Sequence, residues 1–134
     1  MFEPLLVADP AFVSAWQRFC EDYADEVELP QYIALGDFAH HLIERLKAGE
    51  TAGIRDVFGV IERWHIEGDD YVREAASIGL LEGLQNILGG DGRSKETGSI
   101  NAQIEHWLGP ESKRWWDKLD RFWAGDRTAL RYDD

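Results

Sequence analysis

An all-α domain is what this sequence predicts, on three observations. Apolar residues recur three and four positions apart through most of the chain, and no stretch alternates with the period of two that a strand needs. The breaks between these stretches carry helix punctuation: Asp9-Pro10, Pro30, Gly49, Gly68-Asp69 and Gly109-Pro110. One segment, DYVREAASIGLLEGLQNIL, is apolar nearly all the way round and belongs at the centre of a packed domain. The expectation is a bundle of about six helices around that buried central helix, residues 1–134 forming one domain.

The elements follow in order. Asp9-Pro10 reads as an N-cap with proline at the first helical position, and behind it Phe12, Trp16, Phe19, Cys20 and Tyr23 share one face as far as about Asp25. Pro30 starts a second helix whose buried stripe is Leu35, Phe38, Ala39, Leu42 and Leu46, with Gly49 as its stop. Thr51 is placed to cap a third, with Ile54, Val57, Phe58, Ile61 and His65 on one side, ending at Gly68. Asp69 or Asp70 caps the central helix, where Tyr71, Ala75, Ile78, Leu80, Leu81, Leu84 and Leu88 point in all directions. Small residues from Ala75 to Gly83 let neighbours approach its axis. Residues 89–99 read as a glycine-rich surface loop, since the Gly-Lys-Ser/Thr of a phosphate-binding loop is missing. Ser99 then caps a short fifth helix, and Pro110 opens the last.

That last helix holds Trp115, Trp116 and Trp123 among sixteen residues, LGPESKRWWDKLDRFW. With Leu119 and Phe122, the three tryptophans fall within an arc of roughly 120° on a helical wheel, and charged residues fill the remainder. A packing stripe is expected, with Trp115 and Trp123 largely buried.

Charge narrows the function classes. The formal net charge is −12, all of it before residue 93, because the rest of the chain carries eight acids and eight bases. Nucleic-acid affinity comes largely from neutralising phosphates with Lys and Arg, so neither direct nucleic-acid binding nor an anionic membrane surface is expected. A basic protein is the partner such a field would attract. Glu21, Asp22, Asp25, Glu26 and Glu28 crowd into eight positions, and Asp69 and Asp70 extend the candidate docking surface. The same acids also read as a solvated helix end that keeps the chain soluble. The single cysteine, Cys20, allows no intrachain disulfide, and the N-terminus lacks the basic start and long apolar run of a signal peptide; a cytoplasmic protein, monomer or weak homodimer, is the expectation.

Catalytic chemistry finds little support. Asp37, His40, His41 and Glu44 share one face of the second helix and are the weak candidates for a metal site, but they come from one element and the adjacent imidazoles diverge. His65 reads as a structural histidine, His106 has no carboxylate partner in sequence, and Cys20 has Glu21 and Asp22 beside it where a nucleophile needs cations. Ser112, in a first helical turn, reads as a local hydrogen-bonder. The chain is expected to be neither an enzyme nor dependent on a cofactor.

Two stretches carry resemblances. The segment GDDYVREAASIGLLEGL resembles the second helix of a HEAT-type repeat, over one helix only, and implies solenoid-like packing around it. Together with the glycine-rich loop and the LGPESKRWWDKLDRFW ending, the region of residues 30–124 resembles a family of small bacterial all-helical proteins with a Leu-Gly-Pro-x-Ser…Trp-Trp…Phe-Trp ending. Members of that family look like immunity proteins of bacterial toxin systems. The resemblance implies a cognate toxin as partner, covered on its basic active-site surface, and carries over no catalytic residues. The alternative is a non-catalytic helical interaction or scaffold module.

Overall fold

The computed structural model describes residues 2–28, 30–90, 95–126 and 128–130. Among these residues there are seven helices and no strand. They are α1 (Glu3–Ala8), α2 (Val13–Asp22, entered through a 3-10 turn at Pro10–Phe12), α3 (Gln31–Lys47), α4 (Ile54–Glu67), α5, α6 (Lys95–Trp107) and α7 (Pro110–Trp123). The continuous rod α5 runs through Asp70–Glu74, a π-helical stretch at Ala75–Leu81, and Glu82–Gly90.

The punctuation explains most boundaries. Gly49 adopts φ 74°, and the amides of Gly49 and Glu50 donate to the carbonyls of Leu46 and Arg45, closing α3. Asp69 accepts the Val72 N–H at 2.9 Å and opens α5. Three boundaries differ from expectation. The cap of α4 is Gly53 at φ 79°, not the Thr51 side chain, because α1 packs so closely that a Cβ there would collide with the Ala8 carbonyl. Much of the region read as a loop at 89–99 is helical: α5 reaches Gly90 and α6 begins at Lys95, ahead of Ser99; residues 91–94 of that reading lie outside the described residues. Finally, α1 was not foreseen. It is one short turn-and-a-half that holds Leu5 and brings Phe2 into the core.

The centre is α5, as its pattern requires. Its π-helical stretch packs against α3, α4 and α7, and Ala75, Ala76, Leu80, Leu81 and Leu84 are almost wholly buried. Gly79 and Gly83 face Leu35 and Ala39, so small residues on α5 let α3 approach. The wide π turns were not signalled by periodicity. They lie where α3, α4 and α7 all pack on α5, so tertiary packing stabilises a geometry that is rare in isolation. Ser77, buried there, donates to the Arg73 carbonyl at 3.1 Å.

Helix α7 is fastened at its start by another helix. The Glu62 carboxylate accepts the N–H groups of Glu111 (3.0 Å) and Ser112 (2.8 Å), and Gly109 leaves room for it. Burial pushes the Glu62 carboxyl up, but these donors outweigh it and hold its pKa below the ordinary value. The tryptophan stripe is buried over one part only. Trp115, Trp116 and Leu119 are buried, whereas Phe122 and Trp123 are exposed, Trp123 by 51 %. The expected burial of Trp123 is therefore corrected: it shares the angular face of Trp116 but lies two turns further on, at the helix end. A second difference is Lys118, assigned to the polar side by its spacing yet buried, its Nζ 4.8 Å from the Trp115 ring centroid.

Candidate functional site

Asp9 is not the helix cap that its place before proline suggested. It makes no side-chain capping bond and is buried, with Oδ1 2.9 Å from Arg45 Nη1 and Oδ2 3.0 Å from His41 Nε2. Arg45 also donates to the Ala52 carbonyl, so one guanidinium joins the end of α1 to the α3–α4 connection. Burying the cation and carboxylate together avoids the several kcal/mol that either would cost alone.

This arrangement changes the meaning of the polar face on α3. Asp37, His40 and Glu44 are exposed, whereas His41 is part-buried against Phe12 and Phe38 and occupied by Asp9. His41 is therefore an anchored side chain and not part of a uniformly solvated face. Among the described residues no three His, Cys, Asp or Glu side chains form a group that could hold a metal ion.

Above His41 a groove of about 500 Å³ opens between α2 and α3. Phe12, Phe19, Tyr23 and Ile33 supply its apolar lining, and Arg18, Asp22, Asp37 and His41 the polar one. Its aromatic wall continues inward as a stack, Phe19 with Trp16 at 5.7 Å and Trp16 with Phe2 at 4.3 Å between ring centroids. The expected stripe on α2 is thus present, with Cys20 half-buried beside it.

The acidic residues are exposed and fall in two segments of the chain. Helix α2 ends at Asp22, which lines the groove, and Asp25, Glu26 and Glu28 follow in an exposed connection; Glu21 is exposed as well. Asp69 and Asp70 are far away in sequence, yet the structure brings their end of α5 against the start of α3. Tyr71 meets Tyr32 edge to face with centroids 6.2 Å apart, and Tyr32 lies four residues after Glu28. Both rings are substantially exposed, so the placing of Tyr71 within an all-round buried face is corrected: it precedes the enclosed part of α5. Tyr32 and Ile33 were missed because they fall beside the Leu35–Phe38–Ala39 stripe. Their only signal was two large apolar residues without a place on it.

The two remaining histidines differ. His106 lies edge-on to Trp107 with a centroid distance of 5.3 Å. His65 is buried, as its position implied, and offset-stacked on Trp115 at 6.4 Å, but neither ring nitrogen has a hydrogen-bond partner among the described residues. Burial lowers its pKa to about 4, against the pull of Glu62 and Glu111, so it is neutral at pH 7.

A domain family described only as a domain of unknown function, DUF7674, matches residues 2–124. The chain belongs to that family. The match spans all seven helices, including the N-terminal pair that carries Asp9 and the groove wall. Neither a curated protein nor a solved structure matches the chain. Among the described residues, no helix is long and apolar enough to cross a membrane.

Proposed function

We propose that this protein is an acidic immunity protein, which binds a cognate bacterial toxin and neutralises it by covering the toxin's basic active-site surface. The observation that supports the reading is the exposed acidity: Glu21, Asp22, Asp25, Glu26, Glu28, Asp69 and Asp70 are all exposed and come from two segments far apart in sequence. Such a field steers a basic partner into encounter and penalises acidic ones. The role is binding, with no catalysis and no cofactor, in the cytoplasm. The decisive experiment expresses the neighbouring reading frame with and without this protein. Toxicity relieved only by co-expression supports the reading, and a harmless neighbour removes its basis. With the partner in hand, reversing Asp22, Asp25 and Glu26 to Lys should slow association several-fold, and added salt should do the same. An association rate indifferent to both leaves a helical scaffold module whose acidity only solubilises it.

A further inference from the structure

Charge steers an encounter, but the affinity of a protein interface resides in a few desolvated side chains, tyrosine prominent among them. Among the described residues eight large hydrophobic side chains are exposed, and four of them, Val27, Tyr32, Ile33 and Tyr71, lie within five residues of Glu28 or Asp70 in sequence. The two tyrosines brace each other edge to face. Tyr32 is seated over Gly79 of the π-helical stretch, where a Cβ would lie only 3.4 Å from its ring. Rings held this way lose little conformational freedom on binding, and aromatic anchors of that kind suit an interface core with a charged rim.

We infer that Tyr32 and Tyr71 are the apolar anchor of a docking surface for a basic protein segment, one that presents an aliphatic or aromatic side chain among its lysines and arginines. The identity of the occupant rests on charge complementarity. Asp69 and Asp70 directly precede Tyr71, the exposed acids Asp25, Glu26 and Glu28 precede Tyr32 within seven residues, Arg73 is the nearby base in sequence, and the whole chain carries −12. A second copy brings the same acids face to face and is repelled. The other exposed aromatic pair, Phe122 and Trp123, follows a run of mixed sign (Lys118, Asp120, Arg121) and selects no partner charge. The inference rests on the proposed immunity role only for the partner's being a toxin.

Two synthetic peptides of equal length and charge test it, one alternating Lys with Leu and one alternating Lys with Ser, titrated into the full chain at low and at physiological salt. The Lys/Leu peptide should bind about tenfold more tightly or better. Tyr32→Ser/Tyr71→Ser should abolish that preference while leaving the helical circular dichroism intact. Tyr71→Ser alone, at the more exposed ring, should reduce it, and Trp123→Ser should retain it. Glu28→Lys/Asp70→Lys should weaken both peptides together. Equal affinity for the two peptides, or a preference that survives loss of both tyrosines, overturns the inference. So does a concentration-dependent dimer that Tyr32→Ser dissolves, since the occupant is then a second copy. A harmless neighbouring gene product would remove the toxin and leave these results standing. Toxin rescue without the Lys/Leu preference would move the anchor elsewhere.

Discussion

Acidification should destabilise this protein through one side chain, His65. Its ring is buried against Trp115, and neither nitrogen meets a partner among the described residues, so the folded state accepts only the neutral form readily. An unfolded chain takes up this proton near the ordinary value of 6.5; the folded chain does so only near 4. Between those values the unfolded state holds more protons, so lowering the pH shifts the equilibrium toward unfolding. Stability that is fully present above pH 6.5 is lost progressively as the pH falls toward 4. About two and a half pH units at ~1.36 kcal/mol each give a loss of about 3 kcal/mol, a large share of a small domain's total. The perturbation is His65→Phe, which keeps a flat ring on Trp115 and removes both unpartnered nitrogens. At pH 7.5 the variant should match or exceed the wild type, because an unmet buried polar group is replaced by a ring of similar shape. Urea unfolding at half-unit steps from pH 7.5 to 4 should show wild type and variant diverging by about 3 kcal/mol at the acid end. Parallel curves would refute the reasoning, as would a His65 ring that titrates by NMR at 6 or above.

Three further outcomes follow from the packing. Trp116→Ala should cost about 3–5 kcal/mol by opening a cavity under a wholly buried ring, whereas Trp123→Ala should stay within about 1 kcal/mol, both read from urea midpoints. Asp9→Asn should cost about 3 kcal/mol in the same assay, because it removes the buried carboxylate from the Arg45 guanidinium and leaves only the exposed Glu50, 3.7 Å away; a neutral result would mean that Glu50 alone compensates the charge. Gly109→Ala should cost about 1–2 kcal/mol by displacing Glu62 from the α7 amides, and combining it with Glu62→Ala should add little, which a double-mutant cycle measures.

The all-α class, the central place of α5 and most of the buried stripes were legible in the sequence, because each rests on a period that a helix imposes on its own residues. Leu35, Phe38, Ala39, Leu42 and Leu46 are buried where that period puts them. The Gly49 stop and the Asp69 cap were legible for the same reason: their chemistry is complete within a few residues. What the sequence by itself determined was the angular face each side chain takes on its helix, and the charge of the surface.

Tertiary structure decided which parts of each face are covered and by what. Trp116 and Trp123 share an angle, but only the first lies beneath a neighbouring helix, where Gln85 of α5 donates to its carbonyl. Asp9 and His41 are 32 residues apart, so no local pattern could tell a capping carboxylate from half of a buried ion pair. Lys118 lies on the polar arc of α7, yet it is buried with its ammonium over Trp115, a placement the helical wheel does not show. The meeting of Tyr32 with Tyr71, which joins two acidic segments around one apolar patch, exists only because α3 crosses α5 closely at Gly79 and Gly83. Periodicity constrains a residue relative to its own helix axis. Contact depends on where a second axis passes, and that is fixed by the packing of the whole chain.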